Sequence, residues 1–140
     1  MTMRLLRVMS GALLFGLLFA SAGAASATSG LSPAQSSAIA RQIAKLKFRE
    51  ERALAGEWSD AKKVAEFICR PLALATLKRH LSQADRVFLG NNDPATLRLI
   101  SNRRLEGTGQ VRTGSSWHAF TFVCALDPLT GKGVSFDAKL

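Results

Sequence analysis

The sequence predicts an α+β domain in which N-terminal helices pack on a small C-terminal antiparallel β-meander, with one disulfide between the two halves. Three observations lead to this prediction. Apolar residues recur at helical spacing between residues 33 and 82, apolar and polar residues alternate from Leu105 to the end of the chain, and the two cysteines fall one in each half.

The first 27 residues have the composition of a secretory signal peptide. Arg4 and Arg7 precede an apolar run from Val8 to Ala20, and small residues follow. This run of about 13 residues is shorter than the ~20 that a membrane-spanning helix needs. We place the cleavage site after Ala27, with a site after Ala24 as the second choice, and an uncleaved anchor is the other alternative. The prediction is therefore a periplasmic or secreted protein with a signal peptide (1–27), a basic amphipathic helix and linker (28–58) and a disulfide-stabilised α+β domain (59–140).

Two helical regions are predicted in the first half of the mature chain. Ser32 is a favoured N-cap and precedes Pro33, so we predict one helix over about 33–55, with Gly56 as its end. Ser59 resembles a second N-cap, Pro71 must kink the helix or start a new turn, and residues 72–82 look helical again. Cys69 is therefore expected on or beside a helix.

The second half of the chain predicts strands. An apolar RVFL stretch precedes a Gly-Asn-Asn-Asp-Pro turn, and the following TLRLIS is either a short helix capped by Asp93 or a strand. Three strand candidates follow: EGTGQVRT, WHAFTFVCAL and GVSFDAKL. We predict that two sets of alternate residues face the core: His118, Phe120, Phe122, Cys124 and Leu126 in the middle strand, and Val134, Phe136, Ala138 and Leu140 in the last. Gly107 and Gly109 favour a bulge or a closely packed aromatic ring such as Trp117.

Export favours a disulfide between Cys69 and Cys124, because thiols in an oxidising compartment persist as disulfides. Two other interpretations are weaker. A Cys–His nucleophile pair lacks a third residue, and His118 lies about 20 Å from Cys124 along an extended strand. A zinc site lacks the short Cys–Cys or His–His spacings that such sites use.

Beyond these physical arguments, the chain resembles the small exported bacterial proteins of the domain-of-unknown-function family nine-thirty, or a similar uncharacterised periplasmic domain. The likeness covers about residues 60–138 and depends on a helical cysteine, W-x-x-F-x-F-x-C and G-x-V-S-F. The residues that carry it are Cys69, Asp85, Arg86, Val87, Trp117, Phe120, Phe122, Cys124, Val134, Ser135 and Phe136. The resemblance implies a fold and a compartment, and no activity.

The predicted binding site is a basic stripe on the first helix. Arg41, Lys45, Arg49 and Arg52 fall within about 80° on a helical wheel, with Phe48 at the edge of the stripe. Such a helix can bind an anionic membrane surface or an acidic partner. The alternative is an ordinary solvated face. A second basic set, Arg103, Arg104, Arg112 and Lys132, is interpreted as exposed strand-edge charge.

Composition sets the class of partner. Without Arg4 and Arg7 the exported part has 17 basic and 10 acidic residues, a formal +7. For an exported protein, anionic envelope components or acidic proteins are the available partners, and nucleic acid is not expected. We predict no enzyme activity, no metal and no cofactor. The alternatives are a structural or stress-related envelope protein, and a small cell-wall hydrolase using His118 or His80. Stacking of a sugar or peptide on Trp58 or Trp117 is a further alternative.

Overall fold

The computed structural model describes residues 30–140, so the predicted signal peptide lies outside the described residues. The helices are α1 (Pro33–Ala44), α2 (Arg49–Glu57), α3 (Asp60–Val64) and α4 (Arg70–His80), with a π-turn (Ala65–Cys69) joining the last two. The strands are β1 (Ala84–Leu89), β2 (Leu97–Ile100), β3 (Arg104–Thr113), β4 (Ser116–Asp127) and β5 (Lys132–Lys139). Between residues 30 and 140, no helix combines the length and the hydropathy that crossing a bilayer would require.

The prediction of one helix over 33–55 is wrong. Ser32 does cap the start of α1 as predicted, but α1 ends at Ala44, where the N–H of Lys45 bonds back to the carbonyls of Gln42 and Ile43. Phe48 is extended, with φ −95° and ψ 140°, and α2 begins after it. The first region is therefore two helices joined by a corner, and the second helix ends one residue beyond Gly56.

The α3–α4 region follows the prediction closely. The Ser59 side chain accepts a hydrogen bond from the N–H of Lys62 at the start of α3. Pro71 has no N–H to donate to the preceding turn. The chain accommodates it with the π-turn, where the N–H of Arg70 bonds to the carbonyl of Ala65, and α4 then continues to His80. Cys69 ends the π-turn, on the helical side as expected.

Five antiparallel strands form one sheet, and the predicted α+β fold with N-terminal helices is confirmed. Strands β3, β4 and β5 pair consecutively, as a meander does. Strands β1 and β2 lie end to end along the other edge of β3. The ambiguous segment contains both predicted forms, because Asp93 caps a 3₁₀ turn (Pro94–Thr96) and β2 follows it directly.

The core lies between the helices and one face of the sheet. The disulfide between Cys69 and Cys124 is confirmed, with Cα atoms 6.1 Å apart and both residues fully buried. The expected inward residues Phe120, Phe122 and Leu126 are also buried. His118, which we placed in this face, is instead exposed, because it lies near the N-terminal end of β4. Its Nε2 atom lies 2.8 Å from the hydroxyl oxygen of Thr113.

The prediction for β5 is only partly right, because the strand contains an irregularity. Phe136 is buried, but Val134 is 65% and Leu140 61% exposed. Leu126 pairs with Gly133 and Ala125 pairs with Ser135, so Val134 is an extra residue without a partner in β4. The bulge turns Val134 outward, whereas Leu140 follows the last residue of the strand.

The two glycines of β3 allow close packing of aromatic rings, although not of the predicted one. A Cβ atom at Gly109 would lie 2.5 Å from Cζ of Phe120, and one at Gly107 would lie 3.2 Å from Cε1 of Phe122. Trp117 is on the opposite face of the sheet, where it stacks on Phe88 with ring centroids 5.4 Å apart.

Candidate functional site

The structure separates the four residues of the predicted basic stripe. Arg41 is in the last turn of α1 and Lys45 is its C-cap, whereas Arg49 and Arg52 belong to α2. The stripe cannot act as one helical face, because the chain changes direction between its two halves.

Arg52 has an internal structural role. Its Nη1 donates hydrogen bonds to the carbonyls of Leu46 (2.6 Å) and Lys47 (3.2 Å). These carbonyls lie beyond the end of α1, where no backbone N–H of a continuing helix reaches them. Arg52 therefore holds the corner in shape, and its Nη1 donors are already used inside the protein.

The corner exposes an aromatic ring among cations. Phe48 is 54% exposed, and the ammonium of Lys47 lies 5.4 Å from its ring centroid. Lys45 and Arg49, both exposed, stand close to it in the chain. We call Lys45, Lys47, Phe48 and Arg49 the basic corner. A large exposed apolar ring flanked by basic side chains is typical of segments that contact a membrane surface.

A groove runs beside the corner, between α1 and the π-turn. It has a volume of about 390 Å³, and no acidic residue lines it. Its rim carries the cations Arg41, Lys45 and Lys132, and its floor is apolar: Phe67, Ile68, Pro71 and Leu72. We call this feature the basic groove. Sequence reasoning missed Lys132 as a member, because Lys132 is far from the helix in sequence and looked like a strand-edge charge.

The start of α1 is fixed to two turns that connect strands of the sheet. The Ser32 hydroxyl donates to the carbonyl of Pro128 at 2.6 Å. Gln35, which is fully buried, accepts from the N–H of Ser32 and donates to the carbonyl of Asn102 at 2.6 Å. The turn before β5 packs equally closely, since Gly131 lies against the backbone of Ala34. The helix that carries Arg41 and Lys45 and the turn that leads into Lys132 are thus held together.

Several acidic side chains outside the groove already have basic partners. Glu66 contacts Lys62 at 2.9 Å and Arg70 at 2.6 Å. Glu106 contacts Arg98 at 3.0 Å and also Arg104. Asp85 receives two hydrogen bonds from Arg112. Within residues 30–140, by contrast, Arg41, Lys45 and Lys132 form no ion pair, and residues 1–29 contain no acidic residue.

Three carboxylates are held in the charged form by their neighbours. The hydrogen bond from Arg112 lowers the pKa of Asp85, and that from Arg98 lowers the pKa of Glu106. The backbone N–H of Leu129, followed by the Thr130 hydroxyl, lowers the pKa of Asp127 in the turn before β5. In return, the hydrogen bond to Asp85 raises the pKa of Arg112.

These lowered pKa values predict how stability depends on acid. A carboxyl whose pKa is lower in the folded chain stabilises the fold above its unfolded pKa, and this contribution is lost as the pH falls through the folded value. The unfolded values are near 3.8 for Asp85 and Asp127 and 4.5 for Glu106. We therefore expect the urea midpoint to be steady above about pH 5 and to fall below it.

Glu106→Gln should reduce the fall of the urea midpoint at low pH, because the variant has no carboxyl group to protonate at this position. Glu57→Gln is the matched control, since Glu57 is exposed and forms no ion pair within residues 30–140. A fall that is unchanged in Glu106→Gln would contradict the assignment.

A second depression, of about 470 Å³, lies on the sheet face that the helices leave open. It is lined by residues of β2, β3, β4 and β5, and both signs of charge are present: Arg98, Glu106, Asp137 and Lys139. Glu106 is already paired with Arg98 and Arg104. The depression therefore has no excess of positive charge like that of the basic groove, and it is a weaker candidate site for an anion.

The residues that suggested other chemistry are dispersed. His80 ends α4, whereas His118 is on β4 with Thr113 as its partner. Among residues 30–140, no three His, Cys, Asp or Glu side chains are grouped so that they could hold a metal ion. Trp58 stacks on Phe67 with ring centroids 5.9 Å apart, and Lys62 lies over its ring. The cell-wall hydrolase and the sugar-stacking alternatives stay predictions.

Comparison with known proteins adds no assignment. No protein-family model, no curated protein and no solved structure matches the chain. The resemblance to the domain-of-unknown-function family nine-thirty stays a prediction, and the function has to be argued from the geometry.

Proposed function

We propose that this is an exported, non-enzymatic protein that binds an anionic component of the cell envelope, namely a phosphate-bearing lipid surface, through its basic corner and basic groove. The observation that carries the proposal is the exposed Phe48 ring between Lys47 and Arg49, at a bend of the chain. An acidic protein partner would use the cations equally well, but it gives no comparable reason for a protruding phenyl ring.

The energetics support a reversible attachment. Each lysine or arginine near an anionic lipid surface contributes about 1 kcal/mol, and Lys45, Lys47 and Arg49 are grouped at the corner. Burying the exposed half of Phe48 in the interface adds about 1 kcal/mol. A total of about 4 kcal/mol corresponds to weak binding that salt would reduce, because screening shortens the reach of these charges.

The disulfide supports the exported location, because such bonds persist outside the reducing cytosol. In the periplasm or outside the cell, lipid phosphate is a more available polyanion than nucleic acid. The formal charge of +7 on residues 28–140 is of the right sign for this partner.

The test is sedimentation with vesicles of phosphatidylglycerol and phosphatidylcholine against vesicles of phosphatidylcholine alone. We expect binding to the anionic vesicles at low salt, and loss of that binding as salt is added. Lys45→Glu/Lys47→Glu should weaken it by about tenfold or more, since two attractive charges become repulsive.

The control is Arg79→Glu/Lys139→Glu, which changes the net charge equally at exposed residues of α4 and β5. It should bind appreciably better than the corner variant. Phe48→Ser should weaken binding without changing its dependence on salt. Equal binding to both kinds of vesicle, or equal loss in the corner and control variants, would refute the proposal.

A further inference from the structure

We infer that the basic groove is a discrete site for a single-chain amphiphile with a phosphate head, such as an alkyl phosphate or a lysophospholipid. The head would lie among Arg41, Lys45 and Lys132, and the chain along Phe67, Pro71 and Leu72. The inference deepens the proposed function and rests on it for the class of ligand. It adds that one lipid molecule enters the protein, beyond contact with a surface.

The rim argues for a compact, strongly charged head. Its three cations come from separate positions: the last turn of α1, the C-cap of α1 and the first residue of β5. No carboxylate lines the groove. A phosphate offers several acceptor oxygens and up to two negative charges, so three cations can approach one group, and arginine can contact two of its oxygens at once.

The floor argues for an attached apolar chain. Phe67 and Leu72 are half-buried and Pro71 is exposed, so apolar surface faces the opening. A neighbouring depression of about 550 Å³ continues from the basic groove, and the two share Gln42, Lys45, Phe67 and Pro71 in their linings. The rest of its lining is mixed, because Leu46, Leu74 and Val87 lie there together with the charged residues Glu66, Arg70, Asp85 and Arg86. Both of these carboxylates already have arginine partners. Volumes of a few hundred Å³ suit small ligands, and the continuation provides room for a chain longer than the head.

The groove is held open by the fold, which favours a preformed site. Ile68 in the floor is next to Cys69, and the disulfide fixes that residue to β4. The opposite wall, α1, is fixed at its start by Ser32 and Gln35. The floor also contains Phe67 and Ile68 of the π-turn, a feature that occurs frequently at functional sites. Little rearrangement is needed before a ligand binds.

Calorimetric titration with decyl phosphate below its micellar concentration tests the site. Inorganic phosphate shares only the head, and decyl maltoside shares only the chain. We expect saturable binding of decyl phosphate with one site per protein, and binding of each comparison compound weaker by at least about tenfold, because each lacks half of the contacts. If inorganic phosphate binds as tightly as decyl phosphate, the groove is a simple anion site and the inference is overturned.

The matched variants are Lys132→Glu and Lys139→Glu, at opposite ends of β5, since only Lys132 lines the groove. Lys132→Glu should weaken the binding of decyl phosphate by about tenfold or more, and Lys132→Ala should have an intermediate effect. Lys139→Glu should bind decyl phosphate like the parent. In a Trp117→Phe background, Trp58 fluorescence supplies a second readout, because Trp58 stacks on Phe67 in the floor. Parent-like binding by Lys132→Glu would overturn the inference.

The two proposals can fail separately. Lys132→Glu keeps the whole basic corner, so its vesicle binding should be largely retained while its decyl phosphate binding is weakened by about tenfold or more. Vesicle binding without selective decyl phosphate binding would leave the surface attachment and remove the groove site. Decyl phosphate binding at the groove without vesicle binding would remove the surface attachment alone.

Discussion

Replacing both cysteines, Cys69→Ala/Cys124→Ala, should lower the free energy of unfolding by about 4 kcal/mol, because the bond closes a loop across 55 residues of sequence. Without it, the unfolded chain gains the conformations that the loop excludes. A domain of this size typically has about 5–15 kcal/mol of net stability, so the variant should lose between about a quarter and four fifths of it. Guanidinium denaturation under non-reducing conditions measures the loss.

Treating the parent protein with a reductant is the control for the lost packing of the two sulfur atoms. Both cysteines are fully buried, so the alanine variant also loses some core contacts. Reduction of the parent protein should therefore lower its free energy of unfolding slightly less than the double alanine substitution does. Mass spectrometry of the protein purified without reductant should show a mass lower by two hydrogen atoms than that of the reduced chain. Two free thiols in that sample, or stability that reduction leaves unchanged, would contradict the assignment.

Gly131→Ala should lower the free energy of unfolding by about 3 kcal/mol, for two separate reasons. The residue has φ +73°, a left-handed conformation that costs a residue with a side chain about 1–2 kcal/mol. In addition, its Cβ would lie 2.5 Å from the carbonyl oxygen and 2.8 Å from the carbonyl carbon of Ala34. Because the obstacle is backbone, α1 or the turn would have to move.

Gly114→Ala separates these two contributions. Gly114 has φ +59°, but nothing lies within 4 Å of a Cβ placed there. That variant should lose only the conformational part, about 1 kcal/mol. The difference between the variants, measured by urea denaturation, gives the cost of separating α1 from the turn. The same displacement should weaken decyl phosphate binding in Gly131→Ala and not in Gly114→Ala. Equal loss of stability would show that the contact with Ala34 is unimportant.

The parts of the fold that sequence predicted correctly depend on local signals. Ser32 and Ser59 cap helices because their side chains bond within the next three residues. The strands of the meander follow from alternation over eight or more residues. The disulfide was predictable because two cysteines allow a single intramolecular pairing.

The parts that sequence missed depend on contacts between distant residues. The corner after α1 is stabilised by the Arg52 side chain reaching back to Leu46 and Lys47, while the apolar spacing continues through the break. The bulge in β5 leaves Val134 without a partner in β4, and the neighbouring Gly133 does not by itself show that the register shifts there. The groove combines α1, the π-turn and the start of β5, so its three cations come together only in the folded chain.

The π-turn also affects the phase of the helical region. Ala65, Cys69, Ala73 and Leu77 are all fully buried and are spaced four residues apart. In a regular α-helix four residues turn about 400°, so such a ladder drifts by about 40° at every repeat. A π-helical turn rotates less per residue than an α-helical turn, so the segment from Ala65 to Cys69 cancels part of this drift. The four buried residues therefore stay on the side of the helical region that faces the sheet. Compared with a regular α-helix, the π-turn holds one more residue in its turn. A chain one residue shorter there would rotate everything before Cys69 by about 100° about the helix axis, which would change the direction from which the covering helices approach the disulfide.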